Sequence, residues 1–242
     1  MAINKVMQAT LKAITALEPD IKKSYKLERK LENLTAWLHG KPSDYKIWDR
    51  VIKSGKHTIP VRLFAPNEER DFPLLIFFHG GGWVTGGIEN YTGICANLAK
   101  MTGCMVASVD YRLAPEYKFP TAPEDCYAVT KEFFLHNIEG VSADKITLIG
   151  DSAGGNLAAA VSLMARDRGE FMPQRQILIY PATDSNHAPS SPFDSVKTNG
   201  FDYLLTSKRI EGYMELYISS KEDLKNPYLA PLMPDDLRNQ PK

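Results

Sequence analysis

The sequence predicts a three-layer α/β sandwich on a mainly parallel sheet, preceded by a helical segment. Three observations carry that prediction. Continuous apolar runs such as Leu74-Leu75-Ile76-Phe77-Phe78 have the composition of strands covered on both faces. Those runs alternate with stretches of helical period, the order that right-handed crossovers between parallel strands require. One strand-to-helix junction carries a serine between glycines, a turn too tight for larger neighbours. At 242 residues the chain is long enough for one large core, or a core with a small cap.

In order along the chain, residues 3–17 and 20–38 read as amphipathic helices separated by Pro19, the second closed by Gly40 and Pro42. Ile21, Tyr25, Leu31, Leu34 and Leu38 form apolar stripes suited to packing on a larger body. The period then shortens, and residues 45–52 and 59–64 read as a β-ribbon flanking Gly55. The strand at 74–78 is followed by a helix at 88–102, a strand at 105–109 and a helix at 122–137. A strand at 146–149, a helix at 153–168 and a strand at 177–180 complete the alternation. Residues 181–205, rich in Pro, Ser, Asn and Asp, form a long surface excursion before a last helix at 206–218. The expected units are a helical cap segment over residues 1–44 and a core over 45–242.

Gly150-Asp151-Ser152-Ala153-Gly154 fits G-x-S-x-G, between the strand Lys145-Ile146-Thr147-Leu148-Ile149 and a helix beginning near Asn156. That context makes Ser152 the candidate nucleophile; the bland alternative is a tight turn with an idle serine. His79-Gly80-Gly81-Gly82 follows directly on a buried strand. Successive glycines let backbone N–H groups turn toward a developing oxyanion, so Gly81, Gly82 and Ala153 are the candidate donors. A phosphate cradle is disfavoured because no Gly-Lys-Ser/Thr follows. His79 is expected to orient the loop, and Trp83 either to line the pocket or to pack beneath it. Asp110-Tyr111-Arg112-Leu113-Ala114-Pro115-Glu116 reads as a scaffold for that loop, with Arg112 paired to Asp110 or Glu116.

With those three segments in one order and at compatible spacing, the chain resembles the hormone-sensitive-lipase-like family of α/β-hydrolases, the microbial carboxylesterases with an HGGG motif. The similarity spans roughly residues 45–232. It implies the α/β-hydrolase fold with an N-terminal helical cap, and cleavage of short-acyl carboxylic esters through an acyl-enzyme. It also implies no metal and no organic cofactor. The implied partner is a small-molecule ester substrate.

The pattern then breaks. In this fold the triad follows the order Ser, acid, His, yet His187 is the one histidine after Ser152. His187 lies three residues after Asp184 on a single polar loop, a poor arrangement for a relay in series. Asp184 and His187 are therefore the candidate triad partners that the chain offers. Three explanations stay open: a shortened form of a longer esterase lacking the triad acid and histidine, a local base rebuilt from Asp184 and His187 or another pair, or a non-catalytic relative that binds small ligands in the same pocket. A thioester or amide hydrolase would share the machinery.

Composition excludes other classes. The 29 basic and 29 acidic residues cancel, arguing against a nucleic-acid surface. The basic run Lys22, Lys23, Lys26, Arg29, Lys30 is interleaved with Glu28 and Glu32 and reads as a solvated helix face. Cys95, Cys104 and Cys126 fit neither a disulfide framework nor a metal site and are expected to be buried free thiols. No stretch approaches the length of a membrane span, and residues 1–17 lack the apolar core of a signal peptide, so a cytoplasmic protein is expected. A sheet lacking outer strands would expose an edge and invite a homo-oligomer.

Overall fold

The computed structural model describes residues 4–39, 46–67, 71–136, 141–201, 203–234 and 236–241. One six-stranded sheet runs in the order β1-β2-β4-β3-β5-β6, from β1 (Lys46–Ser54) and β2 (His57–Ala65) through β4 (Met105–Val109) and β3 (Phe72–Phe78) to β5 (Val141–Asp151) and β6 (Arg175–Ile179). The β1–β2 and β2–β4 pairs are antiparallel, whereas β4, β3, β5 and β6 are mutually parallel. Gly55, at φ 58°, makes the tight turn that joins Ser54 to His57 in the ribbon.

Strand β3 explains the layering. Its alternate residues point to opposite faces. Leu74, Ile76 and Phe78 join the core beneath α4 (Thr121–Leu135) and α5 (Ala153–Arg168), with Cys126, Val129, Leu157 and Val161. Leu75 and Phe77 join a second core beneath α3 (Ile88–Thr102), with Cys95, Ala96 and Ala99. Each fully buried Leu, Ile or Phe side chain contributes roughly 1.5–3 kcal/mol, so this double coverage makes β3 the centre of the fold. The three-layer sandwich is the one expected.

In front of the sheet, α1 (Lys5–Leu17) and α2 (Ile21–His39) form, but only part of their apolar stripe packs. Ile21 is buried and Tyr25 rests on the core, while Leu31 and Leu34 are about half exposed at 52% and 53%. The Leu38 side chain, the helix stop at Gly40 and Pro42, and the expected boundary at residue 44 lie outside the described residues. Helix α2 docks on α7 (Ser207–Tyr217), which follows α6 (Asp194–Asn199). Lys22 meets Glu215 at 2.6 Å and Arg209 meets Glu28 at 2.7 Å. The excursion at 181–205 thus contains a short helix that its polar composition did not signal. A 3-10 helix over Lys221–Lys225 follows α7.

Several pairings differ from expectation. Arg112 pairs with neither Asp110 nor Glu116; it grips the buried Asp125 of α4 with Nε and Nη2 at 2.8 and 2.7 Å. Asp110 instead accepts from the Ile88 N–H at the start of α3, and Glu116 pairs with Arg29. Arg29 is therefore not part of a solvated basic face. Cys95 and Cys126 are buried free thiols, burial pushing Cys95 up to about 12, but Cys104 is only half-buried. Among the described residues no helix is long and apolar enough to cross a membrane.

Candidate active site

Strand β5 ends at Asp151 and α5 begins at Ala153, leaving Ser152 alone at the junction with φ 52° and ψ −116°. A side-chain-bearing residue in that region costs about 1–3 kcal/mol, which its surroundings must offset. The Ser152 N–H donates to the Ile179 carbonyl of β6 at 2.9 Å, and its own carbonyl accepts from Asn156 and Ala182 at 3.0 and 3.2 Å. Glycine is obligatory on both sides. A Cβ on Gly150 would fall 2.3 Å from the Gly154 backbone, and one on Gly154 would fall 1.9 Å from the Phe78 carbonyl oxygen. The first turn of α5 can therefore press against the end of β3 only without side chains. Among the described residues the Ser152 hydroxyl has no hydrogen-bond partner, and it borders a cavity of about 160 Å³.

The glycine loop leaves β3 beside this elbow. Gly81 and Gly82 take φ 114° and 59°, and the Gly81 carbonyl accepts from Val84 N and Thr85 N at 3.0 and 2.8 Å, winding residues 81–85 into a single turn. A Cβ on Gly82 would meet the Tyr213 ring at 2.5 Å. Gly82 and Ala153 border the Ser152 cavity. Gly81 borders a separate cavity of about 600 Å³ between α2 and α3. Among the described residues the N–H groups of Gly81, Gly82 and Ala153 have no acceptor. Ala153 N–H also stands at the positive end of α5, a position that favours an anion.

His79 is wholly buried and stacked on Tyr111 at 4.2 Å. Its Nδ1–H donates to the Gly80 carbonyl at 2.8 Å, while the Tyr111 hydroxyl donates to the His79 carbonyl at 2.7 Å. Burial lowers the imidazole's pKa, holding it neutral. It steers the loop and does not border the Ser152 cavity. Sequence reasoning missed its neighbour. Asp151, adjacent to Ser152, accepts from Gly80 N–H at 3.0 Å and from the Tyr91 hydroxyl at 2.9 Å, tying the elbow to the glycine loop. Burial, then the charge of Asp151, raises the Tyr91 pKa, so the phenol stays a donor. An acidic residue inside the G-x-S-x-G pattern was the available signal.

The roof of the cavity is α7, through Ile210 and Tyr213, and the wall is Trp83, which both lines the cavity and stacks on Tyr217 at 4.5 Å. His187 borders the same cavity. Its Nε2–H, however, donates to the main-chain carbonyl of Asp184 at 3.1 Å. The Asp184 carboxylate accepts from the Asn186 N–H at 2.6 Å, capping its own turn. Ser152 and His187 are thus brought to one cavity, whereas the Asp184 carboxylate is not brought to the His187 ring. Among the described residues no cluster of His, Cys, Asp and Glu suits a metal ion.

Residues 75–242 match a family profile described as alpha/beta hydrolase fold. The chain is 38% identical over 195 residues to an arylesterase of Saccharolobus solfataricus, covering 80% of this chain and 62% of that protein. It is 33% identical over 227 residues to an ethyl acetate hydrolase of Pseudomonas putida, covering 90% and 68%. A hyperthermophilic esterase from the archaeon Pyrobaculum calidifontis superposes with a TM-score of 0.86 at 34% identity, covering 100% of this chain and 78% of that one. The chain therefore spans about two thirds of the length of these curated relatives.

Proposed function

The chain belongs to the alpha/beta hydrolase fold family, and from that premise we propose that it carries the nucleophile half of a serine carboxylic ester hydrolase. Ser152 gives its proton to a base and attacks the ester carbonyl, and the N–H groups of Gly82 and Ala153, with Gly81 beside them, hold the oxyanion. The protonated alcohol leaves to give an acyl-enzyme, and water then releases the acid and restores the Ser152 hydroxyl. One observation carries this reading: Ser152 borders one cavity with Gly82 and Ala153, and among the described residues its hydroxyl has no hydrogen-bond partner and their N–H groups no acceptor. The cavity, about 160 Å³, suits short acyl groups. Esters are the named substrates or activities of several relatives, which supports the substrate class.

The base is the incomplete part. His187 stands at the cavity with one nitrogen committed to a carbonyl, and among the described residues no carboxylate orients its ring. We read Asp184 and His187 as not serving as the triad acid and base. Helices α1 and α2 act as a cap through the grip of α2 on α7, and a cytoplasmic location belongs to the same proposal.

A base supplied from solution tests this reading. Hydrolysis of p-nitrophenyl acetate is followed in rising imidazole for the wild-type chain and for Ser152→Ala. The reading predicts an imidazole-dependent rate in the wild type above that in the variant. Equal rates at every concentration leave Ser152 idle and favour a ligand-binding protein. A Ser152-dependent rate that needs no imidazole assigns the base to this chain, with His187 its first candidate.

A further inference from the structure

We propose that Arg29 of α2 is a positioning residue for the oxyanion donor, fixing and polarising the Gly82 N–H through two peptide groups. The inference rests on Gly82 acting as such a donor, as proposed above.

Hydrogen bonds run in series from the helix to the cavity. Arg29 Nε donates to the Val84 carbonyl at 2.6 Å. That carbonyl and the Thr85 N–H belong to one planar trans peptide and point in opposite directions. Thr85 N–H donates in turn to the Gly81 carbonyl at 2.8 Å. The Gly81 carbonyl and the Gly82 N–H form the second peptide, so the direction of one sets the direction of the other. Gly82 is the residue of this pair that borders the Ser152 cavity. A guanidinium at the head of such a chain polarises each bond, by roughly 10–30% per bond in condensed phase, leaving a stronger donor at the far end.

Arg29 is held for this task. Its Nη2 donates to the Ala114 carbonyl at 2.5 Å, and the guanidinium lies 5.1 Å from the centre of the Tyr25 ring one helical turn back. Glu116 meets it at 3.0 Å from the solvent side; that carboxylate is 46% exposed and so partly screened. One turn further along α2, Glu32 accepts from the Gly86 N–H at 3.0 Å, pinning the exit of the same loop. The helix that the sequence marks as a cap therefore reaches the loop from behind, 55 residues before the carbonyl that it grips.

The test measures phosphonylation of Ser152 by a p-nitrophenyl alkylphosphonate in imidazole, together with amide exchange across residues 80–87, for wild type, Arg29→Met, Arg29→Lys and Lys22→Ala. Losing a whole oxyanion donor costs about 10²–10³ in rate, and a displaced donor loses part of that. Arg29→Met is expected to lower the limiting labelling rate about 10- to 100-fold with little change in half-saturation, and to speed exchange at Thr85. Arg29→Lys, which keeps the charge and covers the case of a poorly folded Met variant, is expected to recover part of the rate. Lys22→Ala removes a contact of α2 with α7 but none with the loop, and labels at the wild-type rate. Wild-type labelling in Arg29→Met, or unchanged Thr85 exchange, overturns the proposal. A wild-type chain that never labels overturns the proposed nucleophile instead, and Thr85 exchange then decides the relay.

Discussion

Ser152 occupies a backbone conformation that its own side chain disfavours, and the residues around it show where the compensation lies. Glycine at 150 and 154 removes the clashes, and hydrogen bonds to Ile179, Asn156 and Ala182 hold the turn. The sequence pattern made these residues legible because the constraint is local. Partners set by tertiary approach were not. Arg112 chose Asp125, thirteen residues further on, over the carboxylates beside it, because α4 brings a fully buried acid within reach. The contact of Asp151 with Gly80 spans 71 residues and escaped notice for the same reason. Gly154→Ala is expected to destabilise the fold by about 3 kcal/mol, the upper range for overpacking, because the new methyl meets the rigid end of β3. Urea denaturation would register this as a lower midpoint; an unchanged midpoint would mean that α5 can lift off β3 without loss.

At the scale of elements, periodicity revealed most of the order. The helices 88–102 and 153–168 and the strand 105–109 form with the expected bounds, since each has a complete apolar face or run. Helix α6 has six residues, too few to display a period. On α2 the stripe is genuine in sequence, but Leu31 and Leu34 find no covering partner among the described residues. Among the described strands β6 pairs only with β5, and Ile177 on it is 45% exposed. Unpaired strand edges with apolar side chains recruit further strands. We predict concentration-dependent dimers in analytical ultracentrifugation, weakened by Ile177→Lys. A monomer at every concentration, or dimers insensitive to that substitution, would contradict association through β6.

Over the whole molecule, the candidate site is assembled from distant parts of the chain. Strand β5 supplies the elbow, β3 the glycine loop, α7 the roof, and α2 grips both α7 and the loop. Sequence motifs identified the elbow and the loop; the roof and the grip depend on helix docking, which no local pattern encodes. The same assembly brings His187 to the cavity that Ser152, Gly82 and Ala153 border, while among the described residues no carboxylate is hydrogen-bonded to its ring. The most direct measurement is peptide mass mapping of the chain after treatment with a p-nitrophenyl alkylphosphonate in imidazole, beside Ser152→Ala. The account predicts one phosphonyl group per chain, located on Ser152 and absent from the variant. An adduct on another residue, or none on Ser152, would contradict it.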